Sequence, residues 1–360
     1  MQVMYQQKQM VDPTYNNVHP SFMLNGFHLD REDLLRIAYS FIKEGEEYER
    51  AVGDFIYDWF DQHPYIEIQT SGSTGAPKLM RVDKQAMVNS AVATGAFFEL
   101  VPGNKILHCL PVKYIAGKMM FVRAFILGLE LDFVEPSAHP MDYNDCTYDF
   151  TAMVPLQAEN SLKKLPNVKK LIIGGAGISR KLEKALMKLP TTVYETYGMT
   201  ETITHIAAKK VGEKAFTVLP GVTISYDDKN CLVIHAPRIS DDVVVTNDLV
   251  ELINENQFRF LGRIDNVINS GGIKFIPEQI EEKLSAKIHG KFMIGAIPDE
   301  KLGEKLVLVV EGDTAIPEDA FDTLEKYEKP RQIFHVPRLF ETGNGKILRR
   351  ETLNSINSVK

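Results

Sequence analysis

The chain has 360 residues, 44% of them hydrophobic and 25% charged, with a formal net charge of −7. That length suits about two domains with a sizeable core, and the acidic balance excludes a general nucleic-acid or anionic-membrane binder, which needs a basic surface. Its three cysteines, Cys109, Cys146 and Cys231, are scattered, which excludes a disulfide framework and a zinc site and points to a reducing compartment.

The first thirty residues are polar and mixed and read as an irregular arm. Asp30 is placed to cap a helix over "REDLLRIAYSFIKEG", and a second helix is predicted over Glu46–Phe60. "YIEIQT" alternates and is predicted as a strand that feeds a hydroxyl-rich loop, with "KLMRV" as the strand after it and a helix from Lys84. The stretches "KILHCL", "GKMMFVRAFILGL", "ELDFVEP", "VKKLIIGG", "SRKLEKALMKL" and "TTVYETYG" alternate between strand and helix, the mark of an α/β sheet with covering helices. Met119–Val134 is the most apolar run, but Arg123, Glu130 and Asp132 interrupt it, so it reads as a buried helix leading into a strand. No run reaches the roughly 18 apolar residues of a membrane span and no signal pattern opens the chain, so a soluble cytoplasmic protein is expected.

From about Ile203 the texture changes to short strands and turns, with "DDKN" as a hairpin turn. A second change comes at "FLGRIDNVINSGG". Beyond it lie a helix ("IPEQIEEKLSA"), strands ("FMIGAIP", "KLVLVVEG"), an acidic helix ("PEDAFDTLEKYE") and a last strand ("QIFHVP"), together a small α+β domain. The predicted organisation is a large α/β domain over residues 1–262 and a small mobile α+β domain over 263–360, with the boundary at Arg263–Asn266.

The loop Thr70, Ser71, Gly72, Ser73, Thr74, Gly75, Ala76, Pro77, Lys78 carries the first chemical signal. Glycines let the backbone approach a ligand, successive N–H groups form an anion nest, and the hydroxyls and Lys78 add donors and charge. The set suits a polyphosphate. It is not a P-loop, because Ala76 and Pro77 separate Gly75 from Lys78 and Leu79 stands where the magnesium hydroxyl belongs.

The loop resembles the phosphate-binding signature of the AMP-forming adenylating superfamily of acyl- and aryl-CoA ligases, luciferases and peptide-synthetase adenylation domains. Further segments of that family follow in order: "LIIGGAG" (171–177), "YGMTET" (197–202), "TNDLVEL" through "GRIDNVINSGGIKFIPEQIE" (246–281) and "GNGKILRR" (343–350). The resemblance implies an acyl-CoA synthetase-like α/β fold and a reaction in two halves. A carboxylate attacks the α-phosphorus of ATP to give acyl-AMP and pyrophosphate, and a thiol, usually of coenzyme A, then displaces AMP.

It also implies roles. Thr70–Lys78 cradles the β- and γ-phosphates, Glu201 holds Mg²⁺ and Thr200 contacts the α-phosphate. Gly174, Gly175, Ala176 and Tyr197 receive the adenine, and Asp248 with Arg263 the ribose. Lys346 bridges the carboxylate and the α-phosphate. Asp265 is the hinge about which the small domain turns to present Ser270, Gly271, Gly272 and Lys274 for the thioester step. The acyl pocket falls on Lys113, Tyr114, Gly117 and Gly198, with Tyr114 where the family commonly has histidine. Lys113, Lys118 and Arg123 are unusually dense, and either a second carboxylate on the substrate accounts for one of them or the lysines are solvated.

Within the superfamily, "YGMTET", "PVKYIAGKMM" and the short stretch before Thr70 look like bacterial o-succinylbenzoate–CoA ligases of menaquinone synthesis. That stretch leaves little wall for a long acyl tunnel and favours a small aromatic acid. Another aryl- or short-chain acyl-CoA ligase, transfer to a carrier-protein thiol, and a catalytically silent nucleotide-binding protein are the alternatives. The expected partners are ATP, Mg²⁺, coenzyme A and a small carboxylic acid, and the resemblance allows a homodimer.

Overall fold

Residues 12–69, 79–142, 144–342 and 345–357 are described by a computed structural model. They fall into two compact units, Met1–Pro136 and Ser137–Lys360.

In the first unit, β1 (Met23–Leu24) and β2 (Phe27–His28) precede the helices α1 (Arg31–Glu44) and α2 (Glu47–Phe60). A hairpin of β3 (Tyr65–Gln69) and β4 (Leu79–Asp83) leads to α3 (Lys84–Phe98), β5 (Lys105–His108), α4 (Ile115–Leu127) and β6 (Glu130–Phe133). The expected helix starts are sharp. Asp30 accepts from the Asp33 N–H at 2.9 Å and Asp33 answers in a capping box, and Asp83 caps α3 by accepting from Ala86 N–H at 2.7 Å.

The described part of the opening arm is irregular up to Phe22 and then forms a small hairpin. Asn25 (φ 47°) and Gly26 (φ 83°) make a tight two-residue turn joining β1 to β2, and β1 runs parallel to β6. What fixes it is burial. Phe22 is buried and packs edge-on against Phe125 with ring centroids 5.1 Å apart.

Helix α4 is buried on every side from Gly117 to Ile126, including Lys118 and Arg123. The solvated reading of Lys118 is therefore overturned. Its ammonium lies 4.8 Å from the centre of the Phe55 ring, and burial pushes its pKa below the usual lysine value while Asp58 and Asp54 of α2 oppose that shift. The ammonium thus faces carboxylates of its own chain. His108, also buried and edge-on to Phe121 at 4.8 Å, is pushed down to about 3 by burial and is a neutral core residue.

The second unit begins with β7 (Tyr148–Met153), α5 (Pro155–Asn160), β8 (Val168–Ile173), α6 (Arg180–Leu186) and β9 (Thr192–Gly198). Strands β7, β8 and β9 are parallel neighbours, as alternation of strand and helix requires. Antiparallel strands then extend the sheet: β10 (His205–Lys210), β11 (Phe216–Val218), β12 (Thr223–Tyr226), β13 (Cys231–His235), β14 (Val244–Asn254) and β15 (Gln257–Arg263). Within this unit the order is β12-β13-β14-β15-β11-β10-β9-β8-β7. The predicted turn at 227–230 joins β12 to β13, with Asn230 at φ 63° and Asp227 accepting from the N–H groups of Lys229 and Cys231.

A smaller sheet follows, built from β16 (Ile268–Ser270), β17 (Ile273–Phe275), helix α7 (Pro277–Leu284), β18 (Phe292–Asp299), β19 (Gly303–Glu311) and β20 (Gln332–Val336), and the chain closes with α8 (Arg349–Asn357). Its order is β17-β16-β19-β18 with β20 parallel to β19. The acidic helix expected over residues 317–328 is reduced to one 3₁₀ turn, Glu318–Phe321. Asp and Thr are weak helix formers there. Glu328 turns back to accept from Glu325 N–H at 2.9 Å and from Lys283 at 2.6 Å, contacts a continued helix would break.

Candidate active site

Three features of the second unit converge from its sequence. The carboxyl ends of parallel strands are where such sheets leave room for ligands. At the end of β8, Gly174 lies so close to β9 that an added Cβ would stand 2.8 Å from Thr196 Oγ1, and Gly175 takes φ 89°. At the end of β9, Tyr197 donates its phenol proton to Asp248 Oδ2 at 2.5 Å. Asp248 pairs across the ladder from Arg263, and the guanidinium lies 3.6 Å from the other carboxylate oxygen. Thr246 Oγ1 accepts from the Asp248 N–H at 3.1 Å. The Tyr197 ring is held edge-on against Phe258 at 5.1 Å, with Phe216 at 5.8 Å. Burial and the Asp248 charge push the phenol pKa far above its ordinary value, so it remains a donor.

A hydrogen bond to a charged group contributes about 1.5–3 kcal/mol. On the ribose-binding role that the family resemblance implies for Asp248, Tyr197→Phe is expected to free Asp248 and raise the KM for ATP by about tenfold, with little change in kcat. Nucleotide titration and steady-state kinetics would check this, and an unchanged KM would refute it.

After Tyr197 the chain makes a 3₁₀ turn, Thr200–Thr202, that leaves Glu201 exposed and Thr200 half-buried. The turn closes through Ile203, a β-branched residue at φ 65° and ψ −57°. With Thr204 N–H donating to Thr202 C=O at 2.7 Å, this is a γ-turn of the rare positive-φ kind. Such strain persists only where surrounding contacts impose it. Here the Thr202 hydroxyl bonds the carbonyls of Met199 at 3.0 Å and Thr204 at 2.9 Å.

Lys346 comes from far along the chain to the same place. It follows Gly345 (φ 83°) and is framed by Thr342, whose N–H donates to the Lys346 C=O at 2.9 Å and whose Oγ1 accepts from the Lys346 N–H at 3.1 Å. The residue is exposed, and its ammonium lies within electrostatic range of Arg263, Asp248 and Glu278. Loss of water around it, and next the Arg263 charge, lower its pKa below the ordinary 10.5, while Asp248 and Glu278 oppose.

Arg263 also reaches Asp265 at 3.1 Å, and Asp265 accepts from Asn247 Nδ2 at 3.1 Å. Gly271 and Gly272, both at positive φ, form the two-residue turn between β16 and β17. Ser270 and Gly271 line a groove of about 110 Å³ with Tyr327, Lys329 and Arg331. Lys274 is exposed on β17.

The second unit thus groups Tyr197, Asp248, Arg263 and Lys346, while Gly271 belongs to a separate groove on the small sheet. Lys113, Tyr114 and Gly117 are on the first unit. Lys113 and Tyr114 are exposed, and Tyr114 is the residue before α4. Gly117 has a packing cause of its own, since a Cβ there would meet the Pro111 carbonyl oxygen at 2.3 Å. Thr70–Lys78 lies outside the described residues; its flanks pair in register, Gln69 opposite Leu79. Thr246, Asn247, Phe258, Glu278 and Arg349 were missed as site residues. The last four have partners remote in sequence, and only proximity to "TND" and "GK" could have flagged any of them.

No group of three or more His, Cys, Asp or Glu that could hold a metal ion exists among the described residues. Exposed Glu201 alone fits Mg²⁺ chemistry, because that ion is commonly held by one or two carboxylates with substrate phosphates.

Residues 46–228 match the AMP-binding enzyme family model. The chain belongs to that family. Among relatives of this AMP-binding enzyme is a 2-succinylbenzoate–CoA ligase of Salmonella typhimurium, 25% identical over 327 residues, covering 84% of this chain and 71% of the relative. An acyl-CoA synthetase (AMP-forming)/AMP-acid ligase II-like protein from Dyadobacter fermentans is 34% identical, with a TM-score of 0.61 over 89% of this chain and 98% of that one. An o-succinylbenzoate–coenzyme A synthetase of Bacillus subtilis, solved with ATP and magnesium ion, shares the fold at 19% identity and a TM-score of 0.68, covering 80% of this chain and 69% of that one. The AMP-binding enzyme described here therefore has an acyl-CoA synthetase-like fold and is an AMP-forming, adenylating acid–CoA ligase. Among its described residues no helix is long and apolar enough to cross a membrane.

Proposed function

We propose that the enzyme activates 2-succinylbenzoate as its acyl-adenylate and transfers the acyl group to coenzyme A. The observation that carries the adenylating chemistry is the Tyr197–Asp248–Arg263 cluster, whose charges act on the Lys346 ammonium. The acid is supported by the relatives named for it, at 24–26% identity.

Joining two anions requires positioning and charge neutralisation. In this reading Asp248 accepts from the ribose hydroxyls, Arg263 donates beside it, and Tyr197 with Gly174, Gly175 and Ala176 receives the adenine. Thr70, Ser71, Gly72, Ser73, Thr74, Gly75 and Lys78 hold the β- and γ-phosphates. Thr200 contacts the α-phosphate and Glu201 holds Mg²⁺, which neutralises phosphate charge when bound. The Lys346 ammonium stands between the carboxylate and the α-phosphate. The carboxylate oxygen attacks phosphorus and pyrophosphate leaves.

Residues 263–360 then turn about Asp265, Lys346 withdraws, and Gly271 and Gly272 line the path of the thiol. The thiol attacks the acyl carbon and AMP departs. The groove beside Gly271 is mostly apolar, and the two cations in its lining, Lys329 and Arg331, are assigned to the phosphates of coenzyme A. Lys113, Tyr114, Gly117 and Gly198 are assigned to the acyl pocket.

A second reading, an aryl- or short-chain acid other than 2-succinylbenzoate, is favoured by the 34% identity to an acyl-CoA synthetase-like protein not named for that substrate. Pyrophosphate release measured across a panel of carboxylic acids separates the two. The proposal predicts the highest kcat/KM for 2-succinylbenzoate, and a higher value for benzoate or a short-chain acid would overturn it.

A further inference from the structure

We infer that Arg349, held by Glu281, is a positioning residue that sets Lys346 over the nucleotide site. The inference rests on the proposed role of Lys346 and extends it to a residue that has no part in the chemistry itself.

Arg349 begins α8, three residues after Lys346. Its guanidinium grips the Glu281 carboxylate in a two-pronged pair, Nη1 to Oε1 at 2.5 Å and Nη2 to Oε2 at 2.7 Å. Nη1 also donates to the Ile294 carbonyl at 2.8 Å, and the Ile294 N–H donates to Glu281 Oε1 at 2.6 Å. Helix α7, strand β18 and the start of α8 are thus tied at one point. Arg349 Nη2 lies 3.6 Å from Glu278 Oε1, which accepts from Asn266 Nδ2 at 2.5 Å. That second contact leads back to the turn following Arg263, the partner of Asp248.

The other stem of the Lys346 segment is tied as well. Lys291 donates to both carboxylate oxygens of Glu341, at 2.7 and 2.8 Å, and Glu341 bridges to Ile347. Between the stems, the Lys346 peptide accepts from the Thr342 N–H and donates to the Thr342 hydroxyl. Three residues of chain span at most about 11 Å, so a shift of the Arg349 anchor passes directly to Lys346.

An ion pair taken out of water is a weak source of stability but a directional one. The planar guanidinium fork fixes both distance and plane, which a lysine cannot do. A pair of this kind, placed on the stem of the lysine segment, serves position.

The test measures the two half-reactions separately: acid-dependent ATP–pyrophosphate exchange, and thioester formation from supplied acyl-adenylate and coenzyme A. A misplacement of about 1 Å costs about 100-fold in rate, so Arg349→Met is expected to lower exchange by that factor while thioester formation stays at the parent rate. Arg349→Lys keeps the charge without the fork and is expected to lower exchange as well. Because Arg349→Met leaves a carboxylate without its partner, the double variant Arg349→Met/Glu281→Met removes both charges; it is expected to stay folded, at a thermal midpoint lowered by the two Ile294 hydrogen bonds it gives up, and to show the same split. A folded double variant that exchanges at the parent rate, or loses both half-reactions alike, overturns the inference. Lys346→Ala separates the failures. If it alone abolishes exchange while the Arg349 variants are normal, only the positioning role falls; if Lys346→Ala itself exchanges normally, the underlying reading falls with it.

Discussion

Lys346→Ala is expected to cut acyl-adenylate formation by about 100- to 1,000-fold, the cost of losing one preorganised electrostatic donor to a transition state, while sparing thioester formation from supplied acyl-AMP. The reasoning is that charge builds where the carboxylate meets the α-phosphate and nowhere comparable in the second half. In the proposed reading the Lys346 ammonium, under the charges of Asp248 and Arg263 and on a segment tied to Thr342, is the cation that meets it. The pH dependence follows with a definite sign. A pKa held below 10.5 means the cation is lost at lower pH than on an ordinary lysine. Adenylation should therefore fall on the alkaline side earlier than a free lysine would allow, and thioester formation from acyl-AMP should lack that limb. Stopped-flow or quenched assays of the separate half-reactions check both statements. Pyrophosphate release by Lys346→Ala at the parent rate would contradict the assignment.

Gly198→Ala is expected to damage both half-reactions and the fold itself. A Cβ at Gly198 would stand 2.3 Å from the Thr204 carbonyl oxygen, 2.5 Å from His205 Cα and 2.7 Å from the Thr204 carbonyl carbon. These are backbone atoms of the adjoining strand, so no rotamer change can relieve the contact. Gly198 faces His205 where the β9–β10 ladder shifts register, and that shift follows the strained turn at Ile203. Making room must move Thr204, and with it the turn that carries Thr200 and Glu201. Overpacking of this kind costs about 1–3 kcal/mol, and thermal or urea unfolding should show it. Unlike Lys346→Ala, the variant should lose adenylation and thioester formation together. Unchanged stability with full activity would show that the strand gives way at this point.

Much of this was legible in the sequence where the cause is local. Asp30 and Asp83 cap helices because a short carboxylate reaches an N–H a turn away, and alternating strands and helices gave the parallel set β7–β8–β9. The Asn25–Gly26 turn was also local, yet the polar residues around it masked the burial of Phe22 and Leu24. Lys118 was left open between a solvated and a substrate-facing lysine, and only the solvated alternative falls, because α4 is apolar all round. With no polar face to point to water, the fate of a charge there depends on the residues of α2. The acidic segment near Asp319 was misread in the opposite way, because the pairing of Glu328 with Lys283 of α7 and of Asp319 with Lys287 just beyond it overrides any helical pattern. Of the candidate site, the residue types were readable and the contacts were not. Tyr197 and Asp248 are 51 residues apart and Arg349 and Glu281 are 68 apart, so nothing in a linear reading joins them. The strain at Ile203 had no sequence signal, since Ile is the residue least expected at positive φ.

The most direct test of adenylation by this chain is exchange of labelled pyrophosphate into ATP, with the acid present and coenzyme A withheld. Label should enter ATP only when both the carboxylic acid and Mg²⁺ are supplied, because reversal of acyl-AMP formation is the sole route for it. Tight ATP binding with no label in ATP under any acid, or release of ADP and phosphate instead of AMP and pyrophosphate, would contradict the account.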